Sequence, residues 1–345
     1  MNKLVMISMV KNESDIIESF IRHHLNIVDE IIILDHNSCD STKAILECLL
    51  AEGLPIHICT DYRVEYAQSE IMTNLMYRAF KECGADIIIP LDADEFLVNT
   101  ETQECCRTIL QNIDVNSVYV VDSINYFPSF NDDNVESFLP WRSCHRAKEK
   151  QEMSKVIIGR KVIESFHVSL SQGNHDIGIS RRKKKLINYS RNNQFQIAHF
   201  QVRSREQFMS KMSVGWIANL ARHDKKSMEA FHWANAFEKI KNKMTISEDE
   251  MIKIVSDLDI KKSDLDVACL KKCCPYEPLK YADLISVDPF INLLHTSESL
   301  AIAYARNKSN ERNIVFLFKR MIKSIIQGIQ YVYFRKIRGI TTWQQ

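Results

Sequence analysis

The sequence predicts an α/β protein, a mixed sheet flanked by helices, followed by a helical C-terminal extension. Three observations predict it. Strand-like and helix-like patterns alternate through the first hundred residues, the signature of βαβ units joined by crossovers. One apolar run, Ile87-Ile88-Ile89-Pro90-Leu91, ends abruptly in acids, as a doubly buried strand does where it reaches the sheet edge. From about Ala230 onward nearly everything reads helical.

The elements follow in order. Leu4 to Val10 reads as the first strand, and Ser14 to Asn26 as a helix, with Ile16, Ile17, Phe20, Ile21 and Leu25 at helical spacing and Asn12 or Ser14 available to cap it. Glu30 to Leu34 is a strand, Thr42 to Glu52 a helix, Ile56 to Thr60 a strand and Ser69 to Cys83 a helix. Asp86 to Leu91 is the strand before the acids. Right-handed crossovers place these strand ends on one edge. Beyond Asn99 the pattern loosens. Ser117 to Val121, Lys155 to Ile158, Lys161 to Ser169 and Gln194 to Phe200 are expected strands, with Ser171-Gln172-Gly173-Asn174 as a turn. Capping boxes at Ser204–Gln207 and Ser247–Glu250 open two helices. The expected division is residues 1–230 as the catalytic domain and 231–345 as the helical region.

Composition narrows the function classes. Lys and Arg number 45 against 44 Asp and Glu, a net charge of +1, so no global field recruits nucleic acid. The apolar N-terminal stretch is short and runs into Lys11-Asn12-Glu13 without a small-residue cleavage site, so it reads as a strand and not a signal peptide. Ten scattered cysteines then imply free thiols in a reducing, cytoplasmic setting. Cys269, Cys273 and Cys274 lack a second pair with zinc-site spacing and read as helix packing.

The chemistry concentrates at Asp92-Ala93-Asp94-Glu95. Carboxylates packed this closely raise each other's pKa unless a cation sits between them, and a divalent metal is the simplest such cation. On an ideal strand Asp92 and Asp94 share a face and Glu95 points away. A lone Asp-x-Asp is otherwise a solvated turn. In an open α/β sheet the carboxyl edge binds ligands. Three more loops open there: Lys11-Asn12-Glu13, Asp35 to Thr42, and Asp61-Tyr62-Arg63. Asp35 can accept hydrogen bonds from a base or ribose, while Asp40, Ser41 or Thr42 can cap the following helix.

Met9-Val10-Lys11-Asn12-Glu13, then Leu34-Asp35-His36-Asn37-Ser38-Cys39-Asp40-Ser41-Thr42, then Leu91-Asp92-Ala93-Asp94-Glu95-Phe96 resembles, in order and spacing, the family 2 glycosyltransferases, in particular the bacterial branch with an N-terminal V-K-N-E motif. The resemblance is close over residues 1–100, weaker to about 215, and does not reach the C-terminal third. It implies a GT-A fold, a nucleotide-diphosphate sugar donor (a UDP-sugar by analogy) and a Mn²⁺ or Mg²⁺ ion. By position, Asp35 contacts the base or ribose, Glu13 lines the nucleoside pocket with Asp61 beside it, and Asp92 and Asp94 hold ribose and metal. His199, in a His-aromatic segment shared with that branch, is a metal ligand or diphosphate contact, or else a histidine satisfying a carbonyl; Arg203 is a second cation near it, and His175 is the alternative histidine. Inversion needs a base on the acceptor side. The family's Glu-Asp pair is missing, leaving Asp176 and Glu95 as candidates.

Arg181-Arg182-Lys183-Lys184-Lys185 reads as a solvated loop, with an anionic acceptor or membrane as the functional alternative. The tail, Ile314 to Arg338, carries six cations and no acid among aliphatics and aromatics. It reads either as an interfacial helix on an anionic membrane or as a helix docked on its own protein. The expected function is a cytoplasmic, metal-dependent glycosyltransferase, peripheral at most on the inner face of the membrane, acting on a glycan or lipid-linked acceptor and binding no nucleic acid. A sugar-phosphate nucleotidyltransferase is the first rival, although no glycine-rich phosphate loop follows strand one. A non-catalytic glycan- or membrane-binding module is the second.

Overall fold

A computed structural model describes residues 1–99, 106–128, 144–146, 154–191, 193–222, 231–243, 246–256, 265–268 and 279–308. The expected tail helix and the cluster of Cys269, Cys273 and Cys274 lie outside these residues. The chain divides into two compact units, Met1–Thr296 and Ser297–Gln345; in the second, residues 297–308 are helical.

In chain order the elements are β1 (Leu4–Val10), α1 (Ile17–Leu25), β2 (Glu30–Asp35), α2 (Thr42–Ala51), β3 (Ile56–Thr60), α3 (Gln68–Lys81), β4 (Ile87–Pro90) and β5 (Glu95–Val98). There follow α4 (Cys106–Leu110), β6 (Ser117–Pro128), β7 (Cys144–Arg146), β8 (Ser154–Gly159), α5 (Arg160–Phe166), β9 (Ser169–Leu170), β10 (Ile177–Gly178) and α6 (Arg181–Lys184). β11 (Asn188–Arg191), β12 (Gln196–His199), α7 (Arg205–Leu220), α8 (Phe231–Lys243), α9 (Glu248–Ser256) and β13 (Asp266–Ala268) complete the set, and residues 289–296 are again helical.

The sheet runs β6-β8-β4-β1-β2-β3 through its centre. β4, β1, β2 and β3 are mutually parallel, and β8 is antiparallel to β4 and β6, so the sheet is mixed as expected. Both faces are covered. α1 and α2 bury Ile17, Phe20, Ile21, Ile45 and Leu49 on one side, while α3 and α5 bury Ile71, Met72, Met76, Val162 and Ile163 on the other. Each such side chain contributes about 1.5–3 kcal/mol. A third cluster joins Phe127 to α7, α8 and α9 through Phe208, Met212, Ala236, Ile240 and Met251.

Two local expectations fail. Lys161 to Ser169 is mostly helical, because Val162, Ile163 and Phe166 fall on one helical arc; His167, at φ 51°, ends the turn before β9 begins. α1 starts at Ile17 without a side-chain cap. Asn12 and Ser14 are engaged elsewhere, Asn12 Oδ1 accepting from Cys39 N–H at 2.9 Å and Ser14 Oγ donating to Ser286 O at 2.9 Å. The box at Ser247 forms, Ser247 and Glu250 exchanging bonds reciprocally, while at Ser204 the cap forms, Gln207 N–H donating to Ser204 Oγ, but the Gln207 side chain accepts from Arg203 N–H instead.

β5, which no sequence pattern marked, begins with Glu95 directly after the turn that holds Asp92 and Asp94, and is held on both edges. On one edge it pairs antiparallel with β12, placing Glu95 opposite His199 and Leu97 opposite Ile197. On the other, two histidines of α1 take the place of a strand. His23 Nε2 donates to Leu97 O at 2.8 Å, and Leu97 N–H donates to His24 Nε2 at 3.2 Å. That second bond puts the His24 proton on Nδ1, which donates to Phe20 O at 2.9 Å. Burial pushes the His23 pKa down to about 4 and that of His24 well below its ordinary value, so both rings stay neutral.

Candidate active site

The site assembles where β1, β2 and β4 end. Val10 pairs with Asp35, and Ile7 with Pro90, so the loops after β2 and β4 flank the loop after β1. Two strand spacings of about 4.8 Å separate Asp35 from the end of β4. The β1 and β2 loops are stitched together. Glu13 N–H donates to Thr42 Oγ1 at 2.8 Å, Ser14 N–H to Asp40 Oδ2 at 3.1 Å, and Lys11 Nζ to His36 O at 2.9 Å. Asp40 also accepts from Thr42 N–H at 2.9 Å, which anchors the start of α2. Asp35 is buried and accepts from Ser38 N–H; burial raises its pKa against that bond and Lys11. Asp61, at the end of β3, pairs with Arg63 at 2.7 Å, and its N–H donates to Asp35 O.

Residues 91–94 form a turn, not a strand: Glu95 N–H donates to Asp92 O at 3.1 Å. Strand alternation therefore does not apply, and the expectation that Glu95 points away is corrected. Asp92 N–H donates to Glu95 Oε2 at 3.1 Å, folding that carboxylate back beneath the turn. Glu95 and Asp94 are buried, and Asp92 is half-buried.

The protein's own cations separate these acids. Lys155 Nζ sits 2.8 Å from both Asp92 Oδ2 and Glu95 Oε1. β8 runs antiparallel to β4, so its first residues arrive where β4 ends. Asp94 Oδ2 meets Lys211 of α7, with His199 Nε2 at 3.4 Å and Arg203 Nη1 at 4.0 Å. Burial alone would raise the Asp94 pKa; Lys211, His199 and Arg203 outweigh it and hold the carboxyl well below the usual range. For Glu95 burial prevails over Lys155, and its pKa is raised. The crowding that suggested a metal is thus already relieved by lysines far away in sequence.

Arg203 is fully engaged. Its Nε donates to Asp15 at 2.7 Å, Nη1 to Phe200 O at 3.2 Å, and Nη2 to Glu13 and Asp15. Burial nonetheless pushes Glu13 up to about 7 against the pull of Arg203. Arg203 therefore ties the β1 loop to the β12–α7 junction. Asp176 has partners of its own. It accepts from Lys184 and from Tyr189 Oη at 2.8 Å, bonds that outweigh burial and lower its pKa. His175 Nδ1 meets Ser154 O at 2.8 Å, beside Lys155. The run 181–185 begins as the short exposed helix α6, of which Lys184 is the residue paired with Asp176.

Several site residues carried no recognisable signal. Gln68 Nε2 donates to Asp92 Oδ1 at 2.8 Å and its Oε1 accepts from Gly173 N–H, while buried Asn174 lies 3.4 Å from the same Asp92 oxygen. Lys211 left one trace: it stands beside Met212 and three residues after Phe208, a charge inside the apolar stripe of α7.

The family model described as glycosyl transferase family 2 matches residues 6–208. The chain belongs to that family. Its sheet with helices on both faces is accordingly the GT-A arrangement. No curated protein matches it. Solved structures similar to the transferase include S. aureus TarS 1–349 in complex with UDP, at 12% identity over 70% of this chain and 71% of that one, with a TM-score of 0.35. Another is glucosyl-3-phosphoglycerate synthase from Mycobacterium tuberculosis with Mn²⁺, UDP and glucosyl-3-phosphoglycerate, at 14% identity over 65% and 82%, TM-score 0.32. A third is the mannosyltransferase PcManGT from Pyrobaculum calidifontis with GDP-Man and Mn²⁺, at 13% identity over 88% and 75%, TM-score 0.38. The family assignment rests on the match over residues 6–208.

Proposed function

We propose that the transferase moves a sugar from a nucleotide-diphosphate sugar, a UDP-sugar first among them, to a glycan or lipid-linked acceptor with inversion, using Mn²⁺ or Mg²⁺ at the acidic turn. The observation that carries this reading is the pairing of Asp94 with His199 beside the turn after β4, on the sheet edge that also presents Asp35. The Asp94–His199 pair fits two ligand positions of such an ion. Two ligands at about 2.1 Å from one octahedral ion stand roughly 3 Å apart when adjacent, and Asp94 Oδ2 lies 3.4 Å from His199 Nε2. Asp92 stands on the same turn but is held by Lys155 and Gln68 and does not gather with the other two donors; it would join the ion only on release from them. When bound, the ion supplies Lewis-acid stabilisation of charge on the departing diphosphate.

The chain's own residues do the rest. Asp35 and Asp61 bind the nucleoside, and Glu13, fixed by Arg203, lines the same pocket. Lys211 and Lys155 neutralise the acids without the donor and swing their ammonium groups toward the diphosphate when it arrives. Glu95, whose buried carboxylate has a raised pKa, is a better base than Asp176, whose proton affinity Lys184 and Tyr189 lower. Among the described residues no helix is long and apolar enough to cross a membrane. Attachment to an anionic membrane surface rests on the charge pattern of residues 314–338 alone.

Thermal shift of the purified protein against nucleoside diphosphates, with and without Mn²⁺, tests this. UDP with Mn²⁺ should raise Tm well beyond either alone, since ligand at 100 times Kd adds about 2.7 kcal/mol, and Asp94→Ala should cancel the increment. A melting temperature indifferent to every nucleoside diphosphate, with or without metal, overturns the reading.

A further inference from the structure

At the opposite end of the sheet, Glu30, His57 and Cys83 bring a carboxylate oxygen, an imidazole nitrogen and a thiol within 4.8 Å of one another. Topology explains the meeting. His57 lies one strand over, opposite Ile32, and so shares with Glu30 the face covered by α3; Cys83 is the second residue beyond α3. Glu30 begins β2 and Asp35 ends it, so at about 3.3 Å per residue the trio lies some 17 Å from the catalytic edge. Among the described residues this is the single group of three such donors.

We propose that Glu30, His57 and Cys83 bind a zinc-class divalent ion through oxygen, nitrogen and sulfur, with water as the fourth ligand. The mixed donor set suits Zn²⁺ in tetrahedral coordination and excludes Mg²⁺, which takes oxygen ligands. His57 Nε2 already lies 2.9 Å from Glu30 Oε2. Lys3 occupies the other oxygen, Oε1, at 2.6 Å; its side chain is 40% exposed, so it is free to turn to water when the ion arrives. The hydrogen bond from Lys3 keeps Glu30 ionised, its pKa down to about 2. Burial and the Glu30 carboxylate push the Cys83 thiol up to about 11, so the ion displaces a proton from sulfur on binding. The bound ion would staple the starts of β2 and β3 to the end of α3.

Titration of the reduced, chelator-stripped full chain with Co²⁺ and Zn²⁺ tests the site. Co²⁺ should give thiolate charge-transfer absorption in the near ultraviolet, bleached by one equivalent of Zn²⁺. His57→Ala and Cys83→Ser should each weaken Zn²⁺ at least about ten-fold against a chromophoric chelator. Both variants should keep the parent's UDP and Mn²⁺ thermal shift, which separates this site from the acidic turn. Cobalt absorption and zinc affinity that survive in Cys83→Ser, or their absence from the parent, overturn the proposal.

Discussion

Asp94 is enclosed by Lys211, His199 and Arg203, and its burial makes those partners matter. A buried carboxylate without them would protonate and lose its attraction for any cation. Glu95 differs by one position and answers to Lys155 instead, with burial the stronger influence. The two acids offered as base can therefore be separated by experiment. Glu95→Gln should lower kcat roughly 100- to 10,000-fold, the usual worth of a general base, and remove the acidic limb of the pH–kcat profile while the UDP and Mn²⁺ thermal shift persists. Asp176→Asn should leave kcat near the parent value, because its carboxylate serves Lys184 and Tyr189. The reverse pattern in steady-state assays would hand the role to Asp176.

At the scale of elements, β5 depends on α1 as much as on β12. Neutral His23 and His24 satisfy both polar groups of Leu97, and neutrality is imposed by burial. His23 has a folded pKa of about 4 against an ordinary 6.5. Between those values the unfolded chain binds the extra proton, so the contribution is complete above pH 6.5 and is lost as pH falls toward 4. Urea denaturation should show stability declining over that window by about 1.4 kcal/mol per pH unit per proton, to a total near 3 kcal/mol for His23. His23→Gln should flatten the slope by about one proton. Equal slopes for parent and variant would mean that the ring is not buried neutral. Because β5 carries Glu95 and follows Asp94 directly, the same loosening should disturb the acidic turn.

Across the whole molecule, Arg203 reaches back to Asp15 and Glu13, 188 and 190 positions before it. Removing one partner from a buried ionic group costs far more than the group itself contributes, since the remaining charges stay uncompensated. Arg203→Leu should therefore destabilise the fold by about 3–5 kcal/mol, read from the urea midpoint at constant m. A loss below about 1 kcal/mol would show that water reaches Glu13 and Asp15 freely. The loops after β1 and β2 should also lose nucleotide affinity, because Glu13 and Thr42 share the bond that holds them in register.

Local pattern alone determined β1 to β4, α2, α3 and the serine caps at Ser204 and Ser247, because those elements bury periodic apolar faces and end on polar punctuation. It also placed Asp35 and Asp92 on one edge, a consequence of parallel strands joined by crossovers. Tertiary structure decided the rest. β5 has no periodic signature of its own; it is a strand because β12 and two histidines supply its hydrogen bonds. Glu95 faces inward because a turn replaces the strand expected there. Lys155 and Lys211, 63 and 117 residues from their carboxylates, reach them only through the antiparallel return of β8 and the packing of α7. Charge compensation in a buried site depends on distance in space, and one-dimensional spacing does not encode that distance.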